Sequence, residues 1–341
     1  YRKVYEKYLP YINNNFDFAE MLSEMLGELN ASHTGCRYYA SGATLSTAAL
    51  GVFLDPSYEG DGLKIKEIIK RGPFAVKKNE VTPGSIIEKI DGTDIKAGED
   101  YNALLDGKAG KNIRLTIKNA KGKRFDLTIK AISQGAQQEL LYKRWVDRNR
   151  AIVDSVSHGR IAYVHVKAMN SESFRTVYSE LLSEKNRTKD AVIVDERHNG
   201  GGWLHDDLCT LLSGKQYQEF VPHGKVVGKD PFNKWTKPSC VLICEDDYSN
   251  GHGFPWVYKE LGIGKLIGAP VAGTMTAVWW ETLMDRSLVF GIPQVGCRDM
   301  RGTFGENTTL QPDIEVYNSP EDYITGHDTQ LIRAVEEMMK K

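Results

Sequence analysis

After about residue 134, short apolar runs alternate with helical segments, and this pattern limits the fold more than any other feature of the chain. The runs 160–166, 191–195, 240–244 and 265–267 carry Val, Ile or Leu in the manner of buried strands, and 171–185 has helical spacing. Strands that bury both faces belong to parallel sheets covered by helices. The pattern therefore predicts an α/β fold with parallel strand pairing.

The earlier part of the chain shows two different sequence patterns. Residues 1 to about 30 show helical spacing of apolar and charged positions, which predicts amphipathic helices. From about 44 to 133, short β-like runs are separated by Gly and Asp, with one short helix predicted at 101–107. The predicted strand runs of this segment are 50–54, 63–69, 85–92, 113–117 and 125–131. A helix predicted at 136–155 leads into the α/β part, so we predict three parts, 1–43, 44–133 and 134–341.

Composition excludes several classes of function. The 44 basic and 45 acidic side chains of the 341 residues give a formal net charge of −1, which does not suggest a nucleic-acid partner. The longest apolar runs fall far below the roughly 20 residues of a membrane span, so we expect no membrane insertion. No residue spacing suggests a metal or an organic cofactor, and we expect none.

The five cysteines are expected to be reduced. They stand in no metal-ligand spacing, and Cys240 and Cys244 would lie roughly 13 Å apart on one strand, too far for a disulfide. The odd count, with no signal peptide visible at the start of the chain, favours a cytoplasmic protein. An extracytoplasmic location stays open if the N-terminus has been processed.

Ser249 is a candidate nucleophile because it falls between a predicted strand and a predicted helix. The strand covers 238–244, and the helix covers 254–261 with Pro255 in its first turn. The positive end of the helix dipole would face Ser249, and the next amide, that of Asn250, could hold an oxyanion. A loop serine at such a place is usually a helix cap, so Ser249 gains weight only from partners elsewhere.

Partners of the required types occur in three other segments. Ser32 and His33 close the N-terminal helical stretch, and Glu306 precedes a turn and a strand. A serine nucleophile needs a base, and the base needs a group that fixes its tautomer. A Gly triplet follows the strand 191–195 and could present bare amides to an oxyanion. Individually, a histidine after a helix is usually a cap and Glu306 a surface carboxylate.

Together these segments resemble the tricorn-like branch of the tail-specific (C-terminal-processing) serine peptidases. The matching motifs are Ser32-His33, DERHNGGG at 195–202, SNGH at 249–252 and Glu306-Asn307 followed by Pro312-Asp313. The resemblance implies that Ser249 attacks, His33 is the base, Ser32 orients His33 and Glu306 holds Ser32. It also implies an oxyanion hole from the amides of Asn250 and Gly201. For the fold it implies a crotonase-like layered core, with His33 coming from the N-terminal piece and the site between domains. The tricorn branch forms rings, so a homo-oligomer is open.

Other residues of the sequence are also candidates for the base or the nucleophile. The family often has Asp after the nucleophile where this chain has Asn250, which could alter preference near the cleaved bond. A related branch uses a lysine base, but the corresponding stretch 268–275 has no lysine, and Lys265 fits the role poorly. Cys36, close to His33, is interpreted as a small buried side chain. The remaining histidines near the motifs, interpreted as polar turn residues rather than second bases, are His198, His205 and His252.

The segment 44–133 resembles a PDZ domain, with its run 83–95 matching the family's paired strand and turn. Such domains add a peptide to a sheet edge and hold its terminal carboxylate on backbone amides. The loop expected to do so contains Leu50, Gly51, Val52 and Phe53. A small β-sandwich that only braces the catalytic domain is the alternative.

The leading prediction is a serine peptidase that hydrolyses peptides or polypeptide chain ends through an acyl-enzyme. A PDZ-type peptide-binding protein with a degenerate catalytic domain is the alternative from another class. An esterase or amidase with the same serine chemistry is a third. Its α/β-hydrolase form is disfavoured because Asp247 stands where a nucleophile elbow needs Gly.

Overall fold

The computed structural model describes residues 2–42, 46–75 and 80–340. The chain divides into two compact units, one made of Tyr1–Ser41 with Asn149–Lys341 and the other of Gly42–Arg148. Thr44, the predicted start of the middle domain, lies outside the described residues, so that boundary stays a prediction. Within the described ranges, no helix combines the length and apolar character needed to cross a bilayer.

The helices and strands follow the patterns seen in the sequence. The helices, in chain order, are α1 (Arg2–Tyr8), α2 (Asn15–Gly27), α3 (Gln134–Val156), α4 (Ser171–Leu181), α5 (Glu184–Arg187), α6 (His205–Leu212), α7 (Asn250–Glu260), α8 (Pro320–Thr325) and α9 (Thr329–Met339). The strands, in chain order, are β1 (Gly35–Tyr38), β2 (Val52–Leu54), β3 (Leu63–Ile68), β4 (Ile86–Ile90), β5 (Thr93–Asp94), β6 (Asn112–Lys118), β7 (Arg124–Lys130), β8 (Ile161–His165), β9 (Ala191–Asp195), β10 (Gln218–Phe220), β11 (Gly228–Asp230), β12 (Ser239–Ile243), β13 (Lys265–Gly268), β14 (Thr276–Thr282), β15 (Leu288–Gly296) and β16 (Ile314–Glu315). The N-terminal helices and the predicted α/β alternation are therefore confirmed.

A parallel sheet forms the centre of the first unit. Its strand order is β16-β13-β12-β9-β8, and every neighbouring pair is parallel, as predicted. Every residue of β8, β9 and β12 is buried, because both faces of the sheet are covered. Leu242 pairs with Asp195, so the turns that follow β12 and β9 leave the same edge of the sheet side by side. This edge carries the nucleophile motif and the Gly triplet.

A second, antiparallel sheet was not predicted. Its order is β1-β15-β14, and Gly35 pairs with Gly291 at the start of β1. Because β1 begins two residues after His33 and β14 begins at Thr276, this sheet fixes Ser32 and His33 beside Thr276. The buried side chains of Ala19, Cys36 and Leu288 form its small core.

The helix after the nucleophile begins earlier than predicted. α7 starts at Asn250, directly after Ser249, rather than at residue 254. The expectation that Pro255 occupies the first turn is therefore wrong, since Pro255 lies inside the helix. Without an N–H group, Pro255 cannot bond the carbonyl of Gly251 four residues earlier.

The second unit is an antiparallel β domain. Its sheet has the order β2-β3-β4-β6-β7, with β5 pairing off β4. Its core consists of alternate side chains such as Ile113, Leu115 and Ile117 on β6, as expected for a sheet with one buried face. A short 3-10 helix at Tyr101–Leu104 occupies the place of the predicted helix.

Candidate active site

Ser249 occupies the turn between β12 and α7 in a strained backbone conformation. Its φ of 57° and ψ of −120° are unusual for a residue with a side chain, and such strain is concentrated at functional sites. Although Ser249 stands at the N-cap position, its side chain makes no capping hydrogen bond. Its amide donates to Thr274 Oγ1 over 2.8 Å, which holds the turn. The usual alternative for a serine at this place, a helix cap, is therefore excluded.

Ser32, His33 and Glu306 form a hydrogen-bonded chain. Ser32 Oγ lies 2.8 Å from His33 Nδ1 and donates to Glu306 Oε2 over 2.9 Å. The Ser32 amide donates to Glu306 Oε1 over 2.5 Å, so one carboxylate holds this residue at two points. The Ser32 hydroxyl has a single hydrogen to donate, and the Glu306 carboxylate accepts that hydrogen bond. Ser32 Oγ must then accept from His33 Nδ1–H, which leaves the lone pair on Nε2.

The surroundings keep His33 in the form that a base requires. Burial lowers the pKa of His33 below its ordinary value of 6.5, and the negative charge of Glu306 opposes this shift without cancelling it. At neutral pH the imidazole is therefore largely uncharged. An uncharged imidazole with its proton held on Nδ1 presents Nε2 as a proton acceptor.

Two further residues belong to this arrangement, and sequence reasoning missed both. Thr276 Oγ1 lies 2.8 Å from Ser32 Oγ and 2.9 Å from His33 Nδ1. The Tyr248 hydroxyl accepts the His33 amide hydrogen over 2.6 Å, and the two rings lie 4.8 Å apart. Their positions in the sequence were the available signal, since Tyr248 directly precedes Ser249 and Thr276 directly follows the lysine-free stretch 268–275.

Tyr248 brings the base next to the nucleophile. As the neighbour of Ser249 in the chain, it ties His33 to the nucleophile turn. In the described part of the chain, Ser249 Oγ and the His33 ring make no direct hydrogen bond. Such bonds are often long before substrate binds and shorten in the reacting complex. All four residues assigned to the tetrad lie in the first compact unit, so the expectation of a site between domains is not borne out for them.

The Gly triplet lies against the nucleophile turn. A Cβ on Gly201 would come within 2.6 Å of Ser249 Cβ and 2.8 Å of the Tyr248 carbonyl oxygen, so only glycine fits there. The Gly201 amide, however, donates to Asn199 Oδ1 over 2.9 Å and would have to share or leave this bond to serve an oxyanion. The Asn250 amide heads α7, where no helix carbonyl can accept it. Both oxyanion assignments stay predictions, and the one for Asn250 needs no rearrangement.

The Asn250 side chain has a role of its own. Its Oδ1 accepts the amide hydrogens of Leu204 and His205 over 2.8 and 3.1 Å, which caps the start of α6. Its Nδ2 lies 2.8 Å from His205 Nδ1 and can only donate, so that imidazole nitrogen accepts. Asn250, which stands where the family often has Asp, therefore joins the nucleophile turn to the end of the Gly turn.

The other histidines do not compete with His33 as base. His252 is buried in α7, where burial lowers its pKa to about 4 and its Nδ1 accepts the Thr274 amide over 3.2 Å. Its interpretation as a polar turn residue is wrong. His205 Nδ1 is held by Asn250, and His198 Nδ1 lies 3.0 Å from Asp246 Oδ2.

Cys36 and Lys265, the alternative nucleophile and the alternative base, do not take part in the site. Cys36 is buried on β1, and burial raises the pKa of its thiol. Lys265 begins β13, at the opposite end of the strands from the nucleophile turn, and its Nζ pairs with Glu337 over 2.6 Å. Neither side chain is poised for the chemistry.

The loop predicted to bind a peptide carboxylate is internally bonded in the second unit. The Gly51 amide donates to Gln137 Oε1 over 3.0 Å, and Leu50 is buried. Val52 and Phe53 lie in the edge strand β2, with the Phe53 ring 5.4 Å from the Arg144 guanidinium. The peptide-binding role stays a prediction. A separate groove of about 810 Å³ runs along β7 and the start of α3.

Comparisons with known proteins identify families that two parts of the chain resemble. Residues 160–316 match the model of Peptidase family S41, and residues 58–134 match that of the Tricorn protease PDZ domain. The Tricorn protease homolog of Saccharolobus solfataricus is 27% identical over 352 residues, which cover 99% of this chain and 32% of the relative. The Tricorn protease of Thermoplasma acidophilum is 26% identical over 356 residues, which again cover 99% of this chain and 32% of the relative.

The fold is similar as well. A crystal structure of the tricorn protease matches with a TM-score of 0.82 at 25% identity, over 99% of this chain and 34% of that chain. The chain thus spans about a third of the length of the curated relatives named above. A mixed α/β fold with a PDZ domain is confirmed, whereas the crotonase-like layering stays a prediction.

Proposed function

This chain belongs to the tricorn-like serine peptidases of family S41, and on that premise we propose that it cleaves peptide bonds through an acyl-enzyme on Ser249. The observation that carries the proposal is the chain of hydrogen bonds from Glu306 through Ser32 to His33, which leaves His33 Nε2 as an acceptor beside the nucleophile turn. Substrates are peptides or the ends of unfolded polypeptides.

In the first step, His33 Nε2 takes the Ser249 proton as Oγ attacks the substrate carbonyl carbon. The imidazolium that forms donates from Nδ1 to Ser32 Oγ, and the Glu306 carboxylate stabilises its positive charge through Ser32. The Asn250 amide faces the developing oxyanion, with the Gly turn as the second donor. His33 then returns the proton to the leaving amine.

In the second step, water replaces the departed amine. His33 takes a proton from the water as its oxygen attacks the acyl carbon, and the proton returns to Ser249 Oγ when the acid product leaves. Nothing in these steps requires a group beyond the chain and water.

Two wider properties are part of the proposal. A homo-oligomer follows from the resemblance to the tricorn branch. A cytoplasmic setting fits the five cysteines, all of which are free thiols. Sedimentation velocity tests the first, and localisation of the tagged protein tests the second.

Labelling with a fluorophosphonate, followed by mass mapping, tests the proposed chemistry. We expect one label on Ser249, which Ser249→Ala abolishes and His33→Ala strongly reduces. Ser287→Ala is the matched control, because its hydroxyl in the same unit donates to Asp285 and has no part in the site. Folded protein that takes no label would overturn the proposal in favour of the peptide-binding alternative. Parallel assays on peptide, ester and amide substrates separate a peptidase from an esterase.

A further inference from the structure

His198, Cys244 and Asp246 bring three kinds of metal ligand together at the edge of the parallel sheet. Cys244 and Asp246 directly follow β12, and His198 follows β9, its neighbour in the sheet. One ligand atom from each side chain lies within 4.8 Å of the other two. The separations in the sequence, 46 and 48 residues from His198, hide this grouping.

The distances approach those of a tetrahedral zinc site. Zinc bonds of about 2.3 Å to sulfur and about 2.0 Å to nitrogen and oxygen place ligand atoms about 3.3 to 3.6 Å apart. Cys244 Sγ lies 3.8 Å from His198 Nδ1, and His198 Nδ1 lies 3.0 Å from Asp246 Oδ2. Cys244 Sγ lies 2.7 Å from Asp246 Oδ1, because the thiol donates its hydrogen there. Each separation is within about 0.9 Å of the tetrahedral value, a change that side-chain rotation can supply.

The surroundings suit a cation with one open position. The side chains of His198 and Asp246 are 50% and 63% exposed, so an ion can enter from solvent, while Cys244 is buried beneath them. Asp247 supports the site from behind: its Oδ2 accepts the Cys244 amide over 2.8 Å, and its Oδ1 accepts the Asn199 amide over 3.1 Å. Backbone contacts of this kind orient metal ligands.

We propose that His198, Cys244 and Asp246 bind a zinc-class divalent cation, with a water molecule as the fourth ligand. Thiolate with imidazole and carboxylate is a ligand set suited to zinc rather than to magnesium or calcium. Binding replaces the S–H bond of Cys244 by a metal–sulfur bond and releases that proton to solvent. The His198 amide, which already donates to Cys244 Sγ over 3.1 Å, then stabilises the thiolate.

The site would join the two turns that matter for catalysis. His198 immediately precedes Asn199, whose side chain holds the Gly201 amide, and Asp246 lies three residues before Ser249. An ion bound here therefore bridges the Gly turn and the nucleophile turn. Binding of the ion does not depend on the proposed peptidase activity, so the two proposals can be tested separately.

Titration of the chelator-treated whole chain with Co²⁺, followed by displacement with Zn²⁺, tests the proposal. We expect one Co²⁺ per chain, a near-ultraviolet absorption band of thiolate–cobalt charge transfer, and full displacement by Zn²⁺.

Variants locate the binding. Cys244→Ser should abolish the charge-transfer band, whereas Cys240→Ser should keep it, because Cys240 is a buried cysteine within β12, the strand that Cys244 follows. His198→Asn should weaken Co²⁺ binding at least about tenfold. His158→Asn is its matched control, since His158 is also exposed and has a φ of 51° beside 69° for His198.

Three results would overturn the proposal. These are no stoichiometric Co²⁺ binding by the parent, a band that survives Cys244→Ser, or equal affinities for His198→Asn and His158→Asn. If Cys244→Ser does not fold, Asp246→Asn takes its place, and unchanged Co²⁺ affinity in that variant counts against the site.

Discussion

Replacing Glu306 by Gln tests whether the direction of the hydrogen bonds fixes the His33 tautomer. The Ser32 amide can only donate, so the Gln carbonyl oxygen must face it in place of Oε1, which now accepts it over 2.5 Å. The Gln NH₂ group then faces Ser32 Oγ in place of Oε2 and donates to it. The Ser32 hydroxyl then turns its hydrogen towards His33 Nδ1 or towards Thr276 Oγ1, which lies 2.8 Å away. In the first case the imidazole proton moves to Nε2 and the base is lost.

The size of the effect follows from that tautomer. Loss of the correct tautomer in a serine protease triad costs about 10⁴-fold in kcat. Here Thr276 Oγ1, 2.9 Å from His33 Nδ1, offers a second acceptor that keeps part of the correct form. We therefore expect kcat/KM to fall about 10³-fold, equivalent to about 4 kcal/mol of transition-state stabilisation. The reversal of one partly buried hydrogen-bond chain should lower the free energy of unfolding by only about 1 kcal/mol.

The assay is cleavage of a fluorogenic peptide at pH 7.5 or so, with unfolding in urea measured on the same samples. Glu281→Gln, an exposed Glu on β14, is the matched control and should match the parent. Adding Thr276→Val to Glu306→Gln should deepen the loss, because the second acceptor disappears. Activity of Glu306→Gln within threefold of the parent, in folded protein, would refute the tautomer argument.

Three further predictions concern pH, the Gly turn and a buried acid. Because burial lowers the pKa of His33 below 6.5, kcat/KM should be level near neutral pH and fall about tenfold per unit only at lower pH; an acid limb centred above pH 7 would contradict this. Gly201→Ala should reduce kcat about 10²- to 10³-fold, since its Cβ would displace Ser249, whereas Gly262→Ala, also at positive φ but with nothing within 4 Å, should be active; equal rates would refute the packing argument. Glu196 is fully buried, and among the residues that the structure describes none donates a hydrogen bond to either of its carboxyl oxygens; burial, with Asp247 nearby, raises its pKa well above the ordinary 4.5. The folded state therefore binds this proton more tightly, so its contribution to stability is complete below pH 4.5 and is lost as the pH rises; Glu196→Gln should flatten this decline in urea unfolding, and an unchanged slope would count against it.

The chain's local patterns determined most of the elements and the tetrad candidates. Apolar β-branched runs such as 191–195 can be stable only as buried strands, and their alternation with helices leaves parallel pairing as the outcome. Ser249, His33, Ser32 and Glu306 could be singled out because each stands in a turn beside a predictable element and together they match a family's motifs. Such information is local and does not depend on how distant parts of the chain pack together.

Contacts between distant segments were decided by the tertiary structure alone. The antiparallel sheet of β14 and β15 has no clean alternation in sequence, yet it brings Thr276 to Ser32 across 244 residues. Tyr248 reaches His33 across 215 residues. The positive φ of Ser249 and the early start of α7 arise because surrounding contacts, not helix propensity, hold that turn. Sequence spacing carries no record of these distances, since packing of the folded chain alone sets them.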